Sequence, residues 1–206
     1  MGLFSKSTDS APAAPAGATV SLTKGSRITL TKHSAERPSI QASNGWTAAN
    51  KDYDLQALVR YRDGRLVYVG AANADEAMAT PEGAVRHSGD VRSAGALETI
   101  TITWHPDIAS VALSSYSALE NGMGSFRKYG AFVTIKNGDE VVGLAAADAS
   151  AKWSQYTLCF GEVLFGDDES FTVVNLEQYS GKHSENRIGY VGDVVTMDIG
   201  PKGKKK

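Results

Sequence analysis

Acidic and amide oxygens cluster at three places along this 206-residue chain. Asp52-Tyr53-Asp54 stands just before a run of apolar and β-branched residues. Asn73-Ala74-Asp75-Glu76 follows the next such run, and Glu82 and Asp90 lie in the glycine-containing stretch 81–92. Calcium takes ~6–8 hard oxygen ligands from carboxylates, amides, backbone carbonyls and water. Loops gathered at one end of a β-sandwich can supply such ligands from distant sequence positions. Asp52, Asp54, Asn73, Asp75 and Asp90 are therefore candidate metal ligands. The same residue types also fill solvated turns, so spacing by itself leaves both readings open. There is no D-x-D-x-D-G loop of the EF-hand kind.

Other chemistry finds little support. The chain has no G-x-S-x-G elbow, H-E-x-x-H pair, Walker loop or G-x-G-x-x-G turn. Gly122-Met123-Gly124 lacks the third glycine and reads as a loop. His33, His87, His105 and His183 are far apart, and no two of them share a metal-ligand spacing. Cys159 sits between Leu158 and Phe160 in an apolar stretch, where a thiol behaves as a small hydrophobe. These residues give no expectation of an enzyme.

The elements that must position the acids read as strands. Val20 and Leu22 alternate with polar residues, as do Ile28 and Leu30. Leu55, Ala57, Val59 and Tyr61 share one face. Asp63-Gly64 then predicts a hairpin into 66–69, because both residue types tolerate positive φ. Ile100, Ile102 and Trp104 alternate with Thr99, Thr101 and Thr103, so the three apolar side chains fall on a single, inward face. Further strands are expected over 111–116, 131–135 and 141–142, the last two joined at Asn137-Gly138. Strands are also expected over 156–165 with a bulge at Gly161, over 171–176 and over 194–197. Asp148 to Ser154 is the best helical candidate. Many short strands separated by Gly, Asn and Asp turns predict an all-β fold, a sandwich of two mainly antiparallel sheets. No linker divides it, so a single domain is expected over 18–200. The Ser/Ala/Pro-rich residues 1–17 are expected to form a disordered arm and 201–206 a basic tail.

Composition bounds the function class. Hydrophobic residues make up 42% and charged residues 21% of the chain, ordinary globular values. The net charge is -2, and the lysines of the PKGKKK end leave the body mildly acidic; nothing global argues for nucleic acid or an acidic membrane surface, and no nucleic-acid partner is expected. A single cysteine fits a reducing cytoplasm. No run approaches the ~20 apolar residues of a membrane span. The start, MGLFSKSTDS, lacks the apolar core of a secretory leader.

One long stretch resembles a known family. Leu22-Thr23-Lys24-Gly25, Asp52-Tyr53-Asp54-Leu55, Asp63-Gly64, Asn73, Glu82-Gly83-Ala84-Val85, His87-Ser88-Gly89-Asp90 and Arg92 occur in the order and spacing of the TerD, or bacterial stress-protein, domain. The resemblance extends over about 18–200 and is most specific at the His-Ser-Gly-Asp-x-Arg string. It implies a β-sandwich binding calcium through its loops, without enzymatic activity. The implied role is tellurite and general stress resistance, alongside other stress-protein subunits or a membrane-associated complex. The alternative from a different class is a structural assembly subunit, homo-oligomeric and independent of metal. The resemblance also adds Glu98 to the candidate ligands, as the one survivor of the family's acidic run. Gln56, Val91 and Ala96 stand where the family carries further polar or acidic ligands, so the implied site is depleted and its affinity reduced.

Overall fold

The computed structural model describes residues 19–32, 37–48, 51–71, 76–90, 97–117, 125–148 and 154–202. The strands are β1 (Thr19–Leu22), β2 (Arg27–Thr29), β3 (Ser39–Gly45), β4 (Tyr53–Tyr61), β5 (Leu66–Val69), β6 (Val85–His87), β7 (Thr99–Thr103), β8 (Ile108–Ser117), β9 (Phe132–Asn137), β10 (Glu140–Ala145), β11 (Thr157–Phe165), β12 (Phe171–Tyr179), β13 (Gly189–Val191) and β14 (Val194–Thr196). They form an all-β sandwich. One sheet has the order β1-β10-β9-β3-β7-β6, the other β2-β12-β11-β8-β4-β5, and β13-β14 is a separate hairpin. Pairing is antiparallel except where β1 runs parallel to β10.

Alternation in sequence becomes burial in space. Along β7, Ile100 and Ile102 are buried and the threonines half-buried. They join Leu55, Val59, Val133, Leu144, Phe160 and Val173 in one core between the sheets. Trp104 completes that set, its indole N–H donating to Gly166 O at 3.0 Å. In β11 the inward set changes parity, from Leu158 and Phe160 to Val163 and Phe165. The register against both neighbours shifts between Cys159 and Gly161, so the expected bulge is present. A Cβ at Gly161 would lie 2.4 Å from Val174 O, which restricts the position to glycine.

The two predicted hairpins form, but their turn geometry differs from expectation. Positive φ falls on Gly64 and on Gly138 and not on the residue before either. Asn137 ends β9, and its amide is engaged elsewhere, with Nδ2 donating to Thr31 O and to Glu140 Oε2 at 2.7 and 2.8 Å. The helical candidate falls mostly on 149–153, outside the described residues. The arm lies outside them too. Pro201 and Lys202 are tied to the body, since Arg187 N–H donates to Pro201 O at 3.1 Å and Lys202 bridges Asn186.

β4 is buried at nearly every position, unlike β7, because its sheet is covered on both faces. The outer cover is the C-terminal hairpin. Ile188 and Val195 pack there on Leu58, Ala112 and Cys159. An ion pair between Arg187 and Glu76, 2.7 Å apart and with both side chains almost fully buried, fastens this segment. Hydrogen bonds from Tyr68 Oη to Ile188 O and from Tyr190 Oη to Glu162 Oε1, both 2.8 Å, add to it. Among the described residues no helix is long and apolar enough to cross a membrane.

Candidate metal centre

Three acids that are far apart in sequence converge at one end of the sandwich. Asp54 is the second residue of β4, Asp90 follows β6 and Glu98 precedes β7. One carboxylate oxygen from each lies within 4.8 Å of the other two. Oxygens on opposite sides of a calcium ion, each bonded at ~2.4 Å, stand about 4.8 Å apart, so the spread suits a shared cation. The donors are hard oxygens, the class that calcium prefers.

Backbone pairing explains the convergence. β7 pairs with both β3 and β6, which brings Glu98 beside the chain leaving β6. Asn44 N–H of β3 donates to Glu98 O at 3.3 Å, and Ser88 N–H donates to Thr99 O at 2.9 Å. Gly89 then takes φ +107°, a conformation that side chains disfavour. It turns the chain so that Asp90 faces Glu98. From the other sheet, Leu55 N–H donates to Glu98 Oε2 at 2.6 Å. Glu98 is 3% exposed and Asp54 8%, while Asp90 is on the surface. Two ionised carboxylates ~5 Å apart repel by about 3 kcal/mol at an effective dielectric of ~20. The Leu55 amide offsets part of that, and a divalent cation would offset the remainder.

A buried imidazole adjoins the acids. His87 Nε2 is 3.6 Å from Glu98 Oε2, with the His87 side chain fully buried. It has no hydrogen-bond partner among the described residues. Gly89 N–H donates to the other ring nitrogen, Nδ1, at 3.0 Å. Nδ1 therefore offers a lone pair and Nε2 carries the proton. A nitrogen bearing a proton is not a ligand, so the centre stays an all-oxygen one.

Tyr116 stands opposite Asp54 in the β4–β8 register. Burial, reinforced by the nearby charges of Glu185 and Asp54 and by Tyr156, pushes its phenol up to about 12.

Of the sequence candidates, the structure brings together Asp54, Asp90 and Glu98. Asp52 is outside this group. Asn73 and Asp75 lie outside the described residues. Gln56 is buried on β4, two residues beyond Asp54. His87 was legible as part of the His-Ser-Gly-Asp string but carried no assigned role.

Comparison with known proteins gives fold-level information. No protein-family model matches the chain, and no curated protein matches it. Two solved structures are similar. One is SAV2460, a protein of unknown function, with TM-score 0.50 and 15% identity over 72% of this chain and 91% of that one. The other is SCO6318 of Streptomyces coelicolor A3(2), a homologue of the telluride resistance protein TerD, with TM-score 0.49 and 16% identity over 70% and 93%. At such low identity the likeness to SAV2460 is one of fold, and the chain is a β-sandwich similar to that protein.

Proposed function

We propose that this chain is a non-catalytic, divalent-cation-binding module of TerD type, taking calcium between β4, the turn at 88–90 and Glu98. The observation that carries the reading is the convergence of the Asp54, Asp90 and Glu98 oxygens within 4.8 Å. The ordered match of the chain's motifs to the TerD pattern supports it independently. Glu98 supplies a buried carboxylate held by Leu55 N–H, Asp54 a half-buried one, and Asp90 closes the set from the surface. Bound calcium would neutralise the three charges and cross-link the two sheets at this end. With three carboxylates where the family pattern has more acids, affinity is modest.

In this reading the protein acts by binding in the bacterial cytoplasm during tellurite or other stress. It works with stress-protein subunits or a membrane-associated complex rather than by turnover. Calorimetric titration of the full chain with calcium chloride tests the metal, with elemental analysis of the purified protein beside it. Heat of binding that disappears in Asp90→Asn supports the module. Absence of heat at millimolar calcium removes it.

The assembly-subunit reading draws on a different observation. Val191 and Val194, at 62% and 64% exposure, are exposed apolar residues flanking the turn of the β13–β14 hairpin. Light scattering without added metal separates the two readings: a large particle favours assembly, and a small species of unchanged size favours the module.

A further inference from the structure

We propose that His87 is a positioning residue for Glu98, its Nε2–H holding Oε2 so that the second carboxylate oxygen faces the cation; this rests on the metal reading above.

The argument begins with an orphan. A buried N–H without a partner costs free energy, so its surroundings call for an explanation. His87 Nε2 is such a group, and Glu98 Oε2 lies 3.6 Å from it. The Gly89 N–H on Nδ1 fixes both the ring's tautomer and its orientation. The remaining N–H is thus aimed and cannot exchange roles with its partner nitrogen. At 3.6 Å the contact is longer than a hydrogen bond. A shift of Glu98 by a few tenths of an ångström closes it.

Glu98 is also held on the same oxygen by Leu55 N–H. Two donors on Oε2 commit that atom to the protein and leave Oε1 for the metal. Partners of this outer kind tune ligand orientation, and their loss weakens metal binding by ~10–100-fold.

The ring has two nitrogens with two jobs, and two substitutions separate them. His87→Gln keeps a donor near the Nε2 position and gives up the Nδ1 acceptor. His87→Asn keeps an acceptor for Gly89 and gives up the Nε2 donor. Calcium chloride is titrated into the full chain by calorimetry, with folding followed by circular dichroism. His87→Gln is expected to bind within about threefold of wild type and His87→Asn about 10-fold or more weakly. In a Glu98→Gln background, His87→Asn is expected to change affinity by less than about twofold, because a residue acting through Glu98 has nothing left to position. The reverse order, with Asn equal to wild type and Gln weak, overturns the proposal and leaves His87 as support for the turn. Wild type that takes no calcium overturns the metal reading and this inference together. Wild type that binds while both variants bind equally well overturns the inference alone. A measurement on wild type does not depend on the variants folding. Nitrogen-correlated NMR of the imidazole should show the proton on Nε2 and its signal moving downfield on adding calcium. A proton on Nδ1, or an Nε2–H signal that calcium leaves in place, contradicts the proposal.

Discussion

Glu98 Oε2 accepts the backbone N–H of Leu55 at 2.6 Å, so a carboxylate rooted ahead of β7 in one sheet caps the start of β4 in the other. The contact joins the sheets where three acids meet, which makes one end of the sandwich both a structural seam and an oxygen-rich centre. A cation held at that end would therefore stabilise the fold by bridging the two sheets.

The core alternation has a direct test. Ile102 is fully buried and pairs with Ile40 and Val85 across its two neighbouring strands. Ile102→Ala is expected to lower unfolding free energy by about 2–5 kcal/mol, measured by denaturant titration. An unmoved midpoint would place this residue off the core.

Arg187 and Glu76 form an almost fully buried pair that fastens the C-terminal hairpin over the outer face of β4, β8 and β11. Removing one partner leaves the other charge buried, and Arg187→Met is expected to cost about 3–5 kcal/mol. Adding Glu76→Gln should recover much of that loss. A double variant less stable than Arg187→Met would show that the pair is not coupled as described.

Cys159 lies fully buried under that hairpin. Burial, with the Glu162 charge adding to it, pushes the thiol well above the ordinary cysteine range. Ellman's reagent at pH 8 is expected to leave the native protein unlabelled and to react fully in denaturant. Rapid labelling without denaturant would mean that the hairpin does not cover this face.

Much of this architecture was legible because the clearest strands have one wet face. β7 declares itself through Thr-Ile-Thr-Ile-Thr, and the bulge in β11 through Gly161 between two apolar pairs. β3, Ser39–Gly45, gives little signal in the sequence because its inward residues include Ala42 and Asn44, which dilute the apolar pattern. Asp-Tyr-Asp suggested a loop, yet Tyr53 and Asp54 belong to β4, where Tyr53 faces the core and Asp54 sits at the seam. The parallel β1–β10 pairing joins Thr19–Leu22 to Val141–Leu144, segments far apart in sequence whose contact no local pattern encodes. For the site, motif order supplied Asp54, Asp90 and Glu98. The role of His87 depends on a tautomer fixed by a backbone N–H two residues away, which becomes visible only in three dimensions.

Tyr116 makes alkaline unfolding informative. Its phenol is raised from 10.0 to about 12 in the folded protein. Below pH 10 both folded and unfolded forms hold the proton, and stability is unaffected. Between about 10 and 12 the unfolded chain releases the proton first, so stability falls as pH rises. Tyr116→Phe removes this site and should move the alkaline unfolding midpoint, followed by circular dichroism, to higher pH. An unchanged midpoint would contradict the burial-driven shift.

Thermal unfolding with and without calcium addresses the centre most directly. Calcium at about 100 times its Kd stabilises a binding fold by ~2.7 kcal/mol, which raises the Tm of a domain this size by about 5–10 °C. The account predicts that rise for wild type in calcium chloride over EDTA. It also predicts that Asp90→Asn, which alters an exposed side chain, keeps the EDTA Tm and loses most of the rise. A wild-type Tm that is the same in EDTA and in 10 mM calcium chloride, on the order of a thousand times the Kd of the weaker sensor-type sites, would contradict it and leave Asp54, Asp90 and Glu98 as a structural cluster.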